Sequence, residues 1–409
     1  MPNVTPPGPP DFFGPGDEAG NDPFKGMSFL NDLMRMVGQQ GPVSWDAARQ
    51  LAMSIATGGR PEANVEPTER IKLEQLARVA ELHVADTTGL ATSVTGRGIT
   101  ILPVTRGQWV QRSAESYRHL FEHLAGSLAG GTTATSGASD DTGDPMAAWM
   151  GGLMRMIGPM MLGMTAGSML GHLARRSFGQ YDLPVPRPTS DELLVVAASV
   201  HEFGEQWSLP VDDLFLWVCV HEVAHHAVLG VPHVRARLDD LLRRYAAGFQ
   251  PDPAALEHRL GDLSLDDPSS MAGLQQALGD PEVLLGAIQS PAQRELLPQL
   301  EALVAVIAGY VDHVMDQVGE HLIGSYGMLT EALRRRRAQA DPSDRFVERL
   351  LGLELTQAQY DRGARFVDGV VERAGRDGLD RIWRSEGELP TPAEVDAPGL
   401  WLARIDLPT

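Results

Sequence analysis

Leu214-Phe215-Leu216-Trp217-Val218-Cys219-Val220-His221-Glu222-Val223-Ala224-His225-His226 is the stretch on which the fold and chemistry of this chain turn. It opens after Pro210 with Val211-Asp212-Asp213, acidic residues suited to a helix N-terminus, and it stops at Gly230 and Pro232. Positions 214–220 are apolar all round, so the first half of this helix is predicted to be buried. His221 and His225 stand one above the other on a helix face. Both can reach one Zn²⁺, and Glu222 can hold and deprotonate the metal's water. A plain core helix would have to satisfy His221, Glu222 and His225 together in one buried place without a metal. The spacing therefore predicts a zinc site, with His221 and His225 as ligands and Glu222 as general base.

With 409 residues the chain can bury a large core, and its length suggests two or three domains. Thirty-four basic against 54 acidic residues give a net charge of −20, which argues against nucleic acid and anionic membranes as partners. One cysteine, Cys219, excludes an internal disulfide framework, fits a reducing cytoplasm and reads as a packed thiol. The most membrane-like segment, 147–170, is rich in Met and Gly but carries Arg155 and Pro159. It is expected to form a buried helical hairpin rather than a stable span.

Along the chain the sequence divides into a Pro/Gly-rich tail (1–22), an N-terminal helical region (23–188), a metal-site region (189–390) and a C-terminal tail (391–409). Helical periodicity is expected over 27–36, 44–57, 68–85, 108–124, 191–205, 210–229, 300–323 and 328–338, and on to about 384. A Gly/Ser/Thr/Asp run at 130–143 reads as a loop, and acidic segments at 251–290 are placed at an edge of the site. The Thr/Val/Ile content within 86–104, broken by Gly96 and Gly98, predicts a short β-hairpin, and 180–188 an extended connector. Leu33-Met34-Arg35-Met36-Val37-Gly38 recurs nearly unchanged at 153–158, through either duplication or shared core composition.

Zinc needs a third protein ligand if one coordination position is to stay open for water. Val228 and Val231 stand where a Gly/His continuation of the motif would be, and His226 and His233 lie off the ligand face or beyond the helix stop. An acidic residue from a later helix remains. On 300–316 the stripe Glu301, Ala305, Ala308, Asp312, Asp316 borders a broad apolar face, and its alanines suggest close contact with another helix.

Five pieces, His221 to His226, Pro232 to Arg235, Gln289 to Gln293, Gly309 to Asp316 and Gly324 to Met328, together resemble the zincin-like, zinc-dependent metalloproteases and hydrolases of actinobacteria. The resemblance covers about 24–383 and implies a mainly α, zincin-like metallohydrolase fold, here with the short hairpin. It also implies a helix supplying Glu-x-x-x-Asp, the glutamate on zinc and the aspartate behind a metal histidine. This chain has Ala308 and Asp312 at those positions. Either Asp312, with His313 as an outside candidate, binds the metal, or the histidines hold it with solvent. The expected function is a zinc-dependent metallopeptidase acting on a peptide or small amide, with a catalytically silent scaffold and a non-peptidase amide or ester hydrolase as rivals. Tyr310 and Tyr326 are oxyanion-donor candidates that packing would explain as well, and Arg334 to Arg337 reads as a solvated helix end or an anchor for an anionic substrate.

Overall fold

Apolar positions at helical spacing become α1 (Trp45–Thr57) and α2 (Pro67–Thr88) in the computed structural model, which describes residues 41–136, 145–249, 290–339 and 348–407. The chain goes on through β1 (Thr100–Val104), α3 (Arg106–Ser136), α4 (Pro145–Arg176), β2 (Glu192–Val196), α5 (Ala197–Trp207), α6 (Val211–Gly230) and α7 (Pro232–Ala247). After the undescribed segment come α8 (Pro291–Leu322), α9 (Tyr326–Ala338) and α10 (Gln357–Leu379). Short turns of helix follow, including α11 (Pro392–Val395) and α12 (Pro398–Ile405). The fold is mainly α. Expectations for 1–22, 27–36, the first copy of the repeat and 251–289 lie outside the described residues. Pro42–Thr409 forms one compact unit.

Four expectations are corrected. The strand at 100–104 exists, but its partner is no hairpin neighbour: β1 and β2 pair in parallel, Thr100 opposite Glu192 through Val104 opposite Val196. Leu193-Leu194-Val195-Val196 is a short, fully buried apolar run, which periodicity cannot tell from helix, so the helix expected over 191–205 begins only at Ala197. The loop expected at 130–143 begins as helix, since α3 continues to Ser136.

The fourth correction concerns 147–170, which is one helix, α4, with Pro159 inside it, and not a hairpin. Its glycines meet α1. A methyl group at Gly167 would lie 2.5 Å from the Ala48 carbonyl oxygen, and one at Gly171 would lie 2.6 Å from Ile55 Cβ. Buried Ala48, Ala52 and Ala56 on α1 are equally small, so the two backbones approach closely. Gly167→Leu is expected to cost about 3 kcal/mol by overpacking. A urea midpoint unchanged from wild type would show that this crossing contributes nothing.

Among the described residues, no single helix is long and apolar enough to cross a membrane. The pair α6 and α7 is apolar enough together, but it bends by 89° at Val231, and most of α6 is buried in the protein. Residues 391–409 do not trail as a tail through their helical part: Trp401 of α12 is fully buried, edge-on to Phe366 of α10 at 5.5 Å.

α8 is the central strut, packed on α6, α7 and α10. Ser290 and Gln293 close a capping box at its start, with Ser290 Oγ accepting from Gln293 N–H (3.3 Å) and Gln293 Oε1 from Ser290 N–H (3.0 Å). Ser290 to Gln293 of that motif is thus a helix start. Gly309 of α8 crosses Gly363 of α10 with backbone in contact, and Gly363 lies equally close to the Ala305 carbonyl. The Ala305 side of the stripe therefore faces α10.

Candidate functional site

α6 holds the motif as the sequence predicts. Asp213 in its first turn accepts from Ser325 N–H (2.9 Å) and Ser325 Oγ–H (2.6 Å), tying the turn before α9 to the motif helix. Val218, Cys219, Val220 and all of 222–229 are buried, and burial pushes the Cys219 thiol pKa up, in keeping with a packed and unreactive sulfur.

The rings of His221 and His225 lie 4.3 Å apart between centroids. His225 Nδ1 lies 3.1 Å from the His221 carbonyl oxygen. A carbonyl only accepts, so the proton sits on Nδ1 and Nε2 keeps its lone pair. His221 Nδ1 faces Glu222 Oε1 at 3.2 Å, and an ionised carboxylate selects the same tautomer there. Burial holds the His225 pKa well below the usual histidine value, with the His221 and Arg337 charges adding to the effect, so it is a neutral imidazole at pH 7. Two imidazoles on one helix face, each with Nδ1 engaged and Nε2 left over, are the donor chemistry a divalent zinc ion takes.

Glu222 is fully buried. Its Oε2 accepts from the backbone N–H of Gln180 (2.9 Å) and of Tyr181 (3.1 Å). Burial raises its pKa above the ordinary carboxylate value against the pull of His221 and these amides. A methyl group at Gly179 would come within 2.5 Å of Oε1, so only glycine fits against this carboxylate.

One short segment, 178–182, thus organises the motif. Asp182 Oδ2 folds it by accepting from the Phe178 (2.9 Å) and Gly179 (3.0 Å) N–H groups, and the Gly179 carbonyl accepts from Trp109 Nε1–H (2.7 Å). The Phe178 carbonyl accepts from Val196 N–H at 2.7 Å, which anchors the segment to β2. The Tyr181 ring stacks on His225 at 6.0 Å, and its hydroxyl meets His226 Nδ1 at 3.1 Å. Behind it, His226 Nε2 lies 3.8 Å from Asp191, whose carboxylate accepts from Ser93, Val94 and Thr95. None of this was legible in the sequence. Residues 180–188 carry no periodicity, and their partners lie some 40 positions away.

Asp312 does not join the histidines. It faces Arg337, Oδ1 to Nη2 and Oδ2 to Nη1 both at 3.4 Å, and the Arg337 guanidinium lies 3.8 Å over the Tyr360 ring. Among the described residues, no three His, Cys, Asp or Glu side chains converge closely enough to enclose a metal ion. The fit to zinc is thus a two-histidine fit. Tyr310 packs edge-on to Trp383 at 4.8 Å, and Tyr326 donates to Asp316 at 2.6 Å, so both have packing roles.

His221 opens onto a cleft of about 400 Å³. Trp217, one turn earlier on α6, stacks on His221 at 4.9 Å and forms part of the wall. That i, i+4 pairing was readable from spacing alone.

No curated protein matches the chain. A crystal structure from Chloroflexus aurantiacus, described as a candidate hydrolase with a novel fold, matches with a TM-score of 0.63 at 24% identity, covering 90% of this chain and 100% of that one. At that identity the likeness shows a shared fold. Residues 43–402 match the zincin-like metallopeptidase family, an extent that takes in every element of the site, and the chain belongs to that family.

Proposed function

We propose that this protein is a metal-dependent hydrolase cleaving an amide, most simply a peptide bond, with His221 and His225 holding zinc and Glu222 as the base. The observation that carries the reading is the pair of imidazoles on one helix face, each engaged through Nδ1, beside a buried carboxylate and at the edge of a cleft. Zinc, when bound, supplies positive charge that polarises a carbonyl and acidifies a water. Glu222 Oε1, the oxygen not occupied by backbone donors, takes and returns the proton. Burial helps by raising its proton affinity towards neutral pH. The two amides on Oε2 hold the carboxyl plane fixed. Asp312 acts through Arg337, whose charge it balances.

His221→Ala and His225→Ala are each expected to lower zinc affinity by at least about tenfold, since each removes one donor of a two-point chelate. Chelator competition on purified protein reads this directly. If both variants retain the wild-type affinity, the metal lies elsewhere.

A second reading, a metal-binding scaffold without catalysis, is favoured by the complete burial of Glu222 and its engagement with two backbone amides. Zinc-loaded protein that cleaves neither peptides nor small amides would establish it.

A further inference from the structure

The arginine run at the end of α9 divides. Arg334 and Arg335 are exposed and pair with Glu331 on their own helix, at 4.0 and 2.7 Å. Arg336 and Arg337 turn inward and line the cleft beside His221. The Arg336 guanidinium donates to the Arg176 carbonyl and lies 3.8 Å over the Phe178 ring, and Phe178 meets Phe203 edge to face at 5.2 Å, so this part of the wall is aromatic and cationic together.

The acidic side chains on the same wall have partners of their own. Asp182 holds the Phe178 and Gly179 amides, Glu348 pairs with Arg176 at 2.5 Å, and Glu354 lies 3.6 Å from Arg349. Arg337 spends two of its five donors on Asp312, at 3.4 Å each, well beyond the roughly 2.8 Å of a tight charged pair. A guanidinium held in place by stacking on Tyr360 but only loosely engaged by its carboxylate suits an incoming planar anion. The cleft's volume of about 400 Å³ lies at the small-ligand end of binding sites, and Phe178, Phe203, Trp207 and Trp217 line it together with Tyr360.

We propose that Arg337, with Arg336 beside it, binds the C-terminal carboxylate of a short peptide whose last side chain, apolar or aromatic, packs on the aromatic wall at Trp207 and Trp217. The site would then remove residues from a peptide end. This substrate class rests on the hydrolase reading above, whereas the binding itself does not.

The test is calorimetric titration of the full-length protein stripped of metal, so that no ion can take the carboxylate. Three probes are used: a benzoyl-Gly-Phe acid, its C-terminal amide, and a glutamate blocked at both ends whose carboxylate is on the side chain. The acid is expected to bind at least about tenfold more tightly than the amide, as a charge-assisted bidentate contact would give. The blocked glutamate should bind no better than the amide. Arg337→Gln should abolish the acid's advantage, while Arg334→Gln, on the exposed part of the run, should keep it. The wild-type comparison needs no variant, so a poorly folding Arg337→Gln leaves the test intact. Equal binding of acid and amide, no binding of either, or preference for the glutamate side chain would overturn the proposal. Selective binding without cleavage by the zinc-loaded protein would sink the hydrolase reading alone. Equal cleavage of acid and amide would sink the carboxylate anchor alone.

Discussion

Glu222→Gln should lower hydrolysis at saturating zinc by about 10²–10⁴-fold, the range set by removing a general base. The fold should survive, because the amide oxygen can still accept from Gln180 N–H and Tyr181 N–H. Metal affinity should fall too, and this follows from the hydrogen-bond geometry. With its oxygen on the backbone amides, the Gln NH₂ faces His221 Nδ1 where a carboxylate oxygen stood at 3.2 Å. Two donors then oppose each other, and relief requires the His221 proton to move to Nε2, the atom offered to the metal. A loss of about 10–100-fold in affinity is typical when a ligand's orienting partner is changed. Glu222→Ala should be worse for folding, since two buried N–H groups lose their acceptor at about 1–3 kcal/mol each. Undiminished turnover by Glu222→Gln at saturating zinc rules out the general-base role. Undiminished affinity would show that Glu222 does not set the His221 tautomer.

The second large effect is expected from Gly179→Ala, a single methyl group. It would sit 2.5 Å from Glu222 Oε1, and neither side can give way cheaply. The Gly179 carbonyl is held by Trp109, its N–H by Asp182, and the Glu222 carboxylate by the next two amides. Overpacking costs about 1–3 kcal/mol, and displacing Glu222 strands at least one buried donor for about 1–3 more. We expect a loss of about 3 kcal/mol together with loss of activity, since the same displacement moves the base. The comparison is Gly126→Ala on α3, where nothing lies within 4 Å and the change should be neutral or stabilising by up to about 1 kcal/mol. Thermal unfolding and turnover measured on both variants decide the matter. A Gly179→Ala protein as stable and active as wild type would mean that 178–182 does not clamp the motif.

What the sequence itself determined is what is local. His221, Glu222 and His225 needed only helical spacing to share a face, and Pro210, Gly230 and Pro232 were enough to set the limits of α6. The burial of Cys219 also followed from the apolar run around it. The rest depended on partners far along the chain. The strand identity of 192–196 depended on β1, about 90 residues earlier, because a short buried apolar run has no period of its own. Asp312 looked like a ligand by position on its helix, but the tertiary structure gave it to Arg337, 25 residues later, and turned its stripe towards α10. Nothing local distinguishes Arg334 and Arg335, left in solvent, from Arg336 and Arg337, drawn into the cleft; rotation of α9 against Phe178 and Tyr360 decides it. A helix fixes which residues lie on one face, and only packing between helices decides what that face meets.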